Sequence, residues 1–163
     1  MLLPCTVEVD AEIRGKRVLL AEDEPVARRA LAKALREMGL EVVEVDDGGR
    51  MLVAITNHYK DNHTPDELDL VVTDVRMPVF SGIDVFKGLR AAHWTTPVIV
   101  MTAYPDAREV REAVERLDAV LMPKPLDLDT FEQTVRELLL SPRHPASRAA
   151  LYEGRQAATR RAR

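Results

Sequence analysis

The chain has 163 residues, 46% hydrophobic and 31% charged, with a formal net charge of −4. That is enough material for one ordinary globular core and too little for two large ones. A single cysteine, Cys5, excludes an internal disulfide and any multi-cysteine zinc site.

Residues 1–15 show no organising pattern and read as an N-terminal extension. Apolar runs then recur at Val18-Leu19-Leu20, Val42-Val43, Leu70-Val71-Val72, Val98-Ile99-Val100 and Ala119-Val120-Leu121. Their spacing of roughly two dozen residues leaves room for a helix between successive strands. The first interval puts Val26, Ala30, Leu31, Ala34, Leu35 and Met38 on one helical face and stops at Gly39, a natural left-handed cap. A second helix, from Gly48 to about Asp61, has a less regular pattern. Ser81 opens a third over Gly82 to Ala92, and Pro105 opens a fourth over Asp106 to Leu117. The fifth carries Leu128, Phe131, Val135 and Leu138 at helical offsets, with Asp129 and Glu132 resembling a capping box.

From Ser141 onward six arginines accompany one acid, so residues 141–163 carry +5 and the preceding chain carries −4 less +5, or −9. With two prolines, many alanines and no apolar stripe, this segment reads as a basic, flexible tail. It lacks interleaved aromatics, and no helix-turn-helix follows Leu140, so nucleic acid is not an expected partner. The opening Met1-Leu2-Leu3-Pro4 is too short for a signal-peptide core and no apolar run approaches spanning length; a cytoplasmic protein without membrane contact is expected.

Regular alternation of strands and helices implies an α/β fold: a doubly wound, five-stranded parallel sheet with helices on both faces. Ligands of such sheets sit beyond the carboxyl ends of the strands. The first strand runs into Glu22-Asp23, the third ends in Asp74, the fourth in Thr102, and the fifth runs into Pro123-Lys124-Pro125. Any one of these acids alone would be an ordinary turn residue or helix cap. Three carboxylates at one crevice repel one another unless a cation neutralises them, and Lys124 supplies only one charge. A hard divalent ion with oxygen ligands meets the need, and magnesium leaves room for phosphate oxygens.

The set Glu22-Asp23, Asp74 followed by Met77-Pro78 and Gly82, Thr102-Ala103, and Lys124-Pro125 resembles the receiver domain of two-component response regulators over about residues 16–140. The resemblance implies a flavodoxin-like strand order 2-1-3-4-5, which the residues alone do not give. It implies that Asp74 accepts a phosphoryl group from a sensor histidine kinase or a histidine phosphotransfer protein. It further implies Mg²⁺ held by Glu22, Asp23, Asp74 and the backbone carbonyl of Arg76. Lys124 would pair with the phosphoryl oxygens and the Thr102 hydroxyl would donate to them. Pro125 would follow the lysine across a cis peptide. Output would run through the surface of the fourth helix, fifth strand and fifth helix, residues 105–140, as a protein contact that includes a homodimer. The downstream protein is not written in the sequence. Such a domain is a switch that catalyses only its own phosphorylation and dephosphorylation.

One departure concerns the position three before the lysine, where the family often carries an aromatic switch residue and this chain has Leu121. Arg76 and Tyr104 stand at positions that tune dephosphorylation in relatives, and their bulk is expected to shield Asp74 from water. Arg76 also stands where phosphatases of the haloacid dehalogenase type carry a second acid, which disfavours turnover of an external phosphoester. The alternative within the family is a degenerate receiver that binds partners without being phosphorylated. His58 and His63, with Asp61 and Asp66, are spaced as surface residues rather than a metal site. Trp94 reads as a packing residue.

Overall fold

The computed structural model describes residues 11–62, 68–92 and 94–141. Cys5, His63, Asp66 and the basic segment after Ser141 lie outside the described residues, as do the side chains of His58 and Asp61. The elements alternate as expected. They are β1 (Arg17–Ala21), α1 (Pro25–Glu37), β2 (Glu41–Val45), α2 (Gly48–Asn62), β3 (Leu70–Asp74), α3 (Gly82–Ala91), β4 (Val98–Thr102), α4 (Arg108–Leu117), β5 (Val120–Pro123) and α5 (Leu128–Leu140). The strands form one parallel sheet in the order β2-β1-β3-β4-β5. This is the order that the resemblance implied.

The strand runs are apolar on both sides because the sheet is covered on both sides. Leu20, Val72, Ile99 and Val120 share one register row and point toward α1 and α5, where Leu31, Leu35, Phe131 and Val135 meet them. Their sequence neighbours Leu19, Val71 and Val100 point the other way, toward Met51 and Ile55 of α2, Phe86 of α3 and Val110 and Val114 of α4. Side-chain alternation along each strand thus sorts one sequence run into two cores. Trp94 is buried in the second cluster, the packing role expected of it. Ile13, before the expected domain start, is fully buried in the first cluster.

Helix ends differ from the sequence expectations in three places, each for a local reason. The fourth helix starts at Arg108 rather than at Pro105, because the Ala107 N–H closes a turn on the Tyr104 carbonyl first. The fifth is capped by Asp127, whose Oδ1 accepts from the Thr130 N–H at 2.8 Å, so the Asp129–Glu132 pair lies within the helix and does not form its cap. Val26 and Leu128, read as core, are 64% and 46% exposed, since the first turns of α1 and α5 hold them away from the packed cores. Ser81 caps α3 through the Asp84 N–H as expected, and Gly39 ends α1 at φ +82°. Exposed Leu52 and Val53 account for the irregular pattern of α2.

Phe131→Ala should lower stability by about 3–5 kcal/mol, because its ring is fully buried against the sheet. Phe80→Ala, at 47% exposure, should change stability by less than about 1 kcal/mol. Urea midpoints of the two variants check the contrast.

Candidate functional site

Because all five strands run parallel, their carboxyl ends lie along one edge of the sheet. The loop after β1 brings Glu22 and Asp23 there, β3 ends in Asp74, β4 in Thr102, and β5 leads into Lys124. One carboxylate oxygen from each of Glu22, Asp23 and Asp74 lies within 4.8 Å of the others. Glu22 is fully buried, Asp74 is 8% exposed and Asp23 is open to solvent. The trio read from strand ends is therefore a trio in space.

Lys124 closes the group. Its Nζ lies 2.8 Å from Glu22 Oε2 and 2.5 Å from Asp74 Oδ2, a charge-assisted pair of contacts on one ammonium. Lys124 is connected to Pro125 by a cis peptide, and its own N–H donates to the Thr102 carbonyl at 2.7 Å. The remaining oxygens of the two buried acids are also engaged. Glu22 Oε1 accepts from the Glu24 N–H and Asp74 Oδ1 from the Arg76 N–H, each at 3.1 Å. Burial pushes the Glu22 carboxyl above its ordinary range, more than the Lys124 hydrogen bond and the Glu24 amide pull it back. Burial acts against the Lys124 ammonium, but hydrogen bonds to Asp74 and Glu22 outweigh it and raise its pKa.

Thr102 is buried at the end of β4, and its Oγ1 accepts from the Tyr104 N–H at 3.0 Å. It shares the sheet edge with the carboxylates. The Arg76 guanidinium lies over the Tyr104 ring, 4.2 Å from its centroid. The residues two beyond Asp74 and two beyond Thr102 thus clasp each other across β3 and β4. Gly82 permits the close return of the chain after β3: a Cβ there would lie 2.2 Å from the Asp74 carbonyl oxygen and 2.4 Å from Thr73 Oγ1.

Three carboxylates beside one ammonium leave two negative charges if all are ionised, and the donors are all hard oxygens. This donor set suits a divalent ion of the magnesium type. Glu24 was passed over in the sequence. Its carboxylate caps α1 through the Val26 and Ala27 amides, at 3.0 and 2.5 Å, which holds its pKa below the usual range. An acid directly before Pro25, the first residue of the helix, was the available signal.

Lys124→Ala should destabilise the protein by about 1–3 kcal/mol in divalent-free buffer, because it leaves the Glu22 charge buried without its partner. Glu22 binds a proton more readily folded than unfolded, so it favours the fold below about pH 4.5 and loses that contribution as pH rises through its raised pKa. The variant's deficit should accordingly be smaller at pH 5 than at pH 8, as read from denaturant midpoints.

The family model for the response regulator receiver domain matches residues 18–136. Among curated relatives, the regulatory protein AtoC of Escherichia coli is 37% identical over 76% of this chain and 25% of its own. The transcriptional regulatory protein PdtaR of Mycobacterium tuberculosis is 37% identical over 68% of this chain and 48% of its own. The sensor histidine kinase RcsC of E. coli is 31% identical over 82% of this chain and 13% of its own. The chain therefore spans half or less of the length of each of these relatives. Of solved structures, the receiver domain of the Francisella response regulator 1452 superposes with a TM-score of 0.67 at 26% identity, covering 77% of this chain and 97% of that one. The response regulator TrrA of Thermotoga maritima, solved in complex with Mg²⁺-BeF, gives 0.61 at 28% identity, covering 76% and 98%. With its sheet order, its strand-end acids and its lysine all in place, the chain belongs to the receiver-domain family of two-component response regulators.

Proposed function

We propose that Asp74 is the phosphoacceptor of a magnesium-dependent signalling switch. The observation that carries this reading is the placement of Asp74: it ends a fully buried strand, within 4.8 Å of two further acids and in contact with Lys124. Phosphoryl transfer depends mostly on positioning and charge neutralisation, and this site is arranged for both. An Asp74 oxygen attacks phosphorus of a phosphohistidine, the P–N bond breaks, and its electron pair returns to the imidazole of the donor. The donor is a sensor histidine kinase or a histidine phosphotransfer protein.

Glu22, Asp23, Asp74 and the Arg76 carbonyl would hold Mg²⁺, which when bound supplies neutralising charge for the incoming phosphoryl oxygens. Lys124 turns its ammonium from the carboxylates to those oxygens, and the Thr102 hydroxyl, freed from accepting alone, donates to them. The TrrA complex supports the assignment, since that relative is solved with magnesium and a beryllium fluoride group. No member of the acid, threonine and lysine set is missing, which disfavours a receiver that works without phosphorylation. The protein is a switch and not an enzyme acting on an external substrate.

The added group brings about two negative charges to one point, and the β4–α4 loop through Thr102 carries the response to the α4–β5–α5 surface. That surface binds a downstream protein or a second copy of the chain. Leu121 is half-buried and belongs to the core side that packs α4, so no aromatic ring swings at that position. The Arg76–Tyr104 clasp shields Asp74 from water and prolongs the phosphorylated state.

Incubation with Mg²⁺ and acetyl phosphate should add the mass of one phosphoryl group to the intact protein and none to Asp74→Asn; an adduct in the variant refutes the assignment. Arg76→Ala and Tyr104→Ala should each shorten the phosphorylated half-life several-fold. Phosphate release after donor removal measures it, and unchanged half-lives would dismiss the shielding role.

A further inference from the structure

We infer that Arg28 is a positioning residue for the cation ligands: its guanidinium, braced by Glu44 of β2, clamps the main chain at Glu22 and so fixes where Glu22 and Asp23 present their carboxylates. The inference rests on the reading above that the acidic trio holds a divalent ion. Arg28 lies just inside the N-terminal end of α1, where the helix dipole disfavours a cation and the Glu24 carboxylate at the N-cap is the acid that offsets it. A solvated side chain would be the ordinary outcome. Instead the Arg28 side chain is only 19% exposed and folds back over the helix end. Its Nη1 donates to the Glu22 carbonyl at 2.8 Å.

The guanidinium is held from behind. Arg28 Nε lies 3.7 Å from Glu44 Oε2, and the other oxygen of Glu44 is 2.7 Å from Arg36 Nη2, about two turns further along the same side of α1. The Glu22 N–H meanwhile donates to the Val45 carbonyl at 3.1 Å, at the end of the same strand that carries Glu44. Both main-chain polar groups of Glu22 are therefore tied to β2, one directly and one through Arg28. The acid pair follows immediately, with no regular structure of its own before Pro25. Without the clamp, the loop from Ala21 to Pro25 would lose the contact that sets the direction of its carbonyl.

Charge and geometry make opposite predictions for this residue. A guanidinium this close to a cation site repels the ion, so loss of its charge alone should tighten binding. Loss of a partner that orients ligating residues loosens binding, typically by about 10–100-fold. The sign of the change separates the two.

The full chain, Arg28→Gln, Arg28→Lys and Glu44→Gln should be titrated with Mn²⁺ alone as the probe, with free ion read by electron paramagnetic resonance. Positioning gives at least about 10-fold weaker binding in Arg28→Gln, with recovery toward the parent in Arg28→Lys, which keeps a donor able to reach the carbonyl. Unchanged or tighter binding in a folded Arg28→Gln overturns the inference. If Arg28→Gln does not fold, Glu44→Gln decides: weakening that survives about 1 M salt is geometric, and weakening abolished by salt is electrostatic and overturns it. A parent chain that binds no Mn²⁺, or an Asp23→Asn variant that binds it equally well, refutes instead the acidic-trio reading on which the inference stands.

Discussion

The site depends on one ammonium held between two acids. Lys124 reaches Glu22 and Asp74 at 2.8 and 2.5 Å, joining the ends of β1, β3 and β5, three strands that are far apart in sequence. Glu22 has no exposed surface, and a carboxylate so placed would take up a proton if nothing opposed the effect of burial. The lysine and the Glu24 amide oppose that effect without cancelling it. A hydrophobic sheet with acids at its edge is tolerable only with such partners, because an unpaired buried charge costs more than packing can readily offset.

The same arrangement leaves the edge short of positive charge. One ammonium cannot neutralise three carboxylates, and Asp23 stays in solvent beside two acids that are nearly enclosed. Charge demand is therefore directed at one open point. The surrounding main chain is rigid: β3 is buried along its whole length, and the chain after it returns so closely that position 82 has room only for glycine. Arg76 and Tyr104 join the ends of β3 and β4 from outside, each with its N–H on the pocket residue two positions earlier.

The helices show how local and tertiary preferences compete. Asp127 and Glu24 cap their helices because each directly precedes the first helical residue, whereas the Asp129–Glu132 spacing satisfies the capping pattern two residues too late. Val26 and Leu128 satisfy the periodicity of their helices and remain exposed, since periodicity gives the direction of a side chain and not whether anything lies opposite it. Arg28 is the converse: an unremarkable surface position by sequence, it is half-buried against a loop and a strand that only the fold brings near.

Alternating apolar runs and helical faces sufficed to determine five strands, five helices and the residues at each strand end, because these are local properties of side-chain period and turn chemistry. The acids and lysine were legible for the same reason: each terminates its own strand. Strand order came from family resemblance, since every parallel order uses the same runs and the same crossovers. Only the tertiary structure decided that Lys124 spans Glu22 and Asp74, that Arg76 stacks on Tyr104, and that Arg28 turns inward to Glu22. Those contacts join residues from different elements, and their energies depend on distances and burial that no single stretch of chain contains.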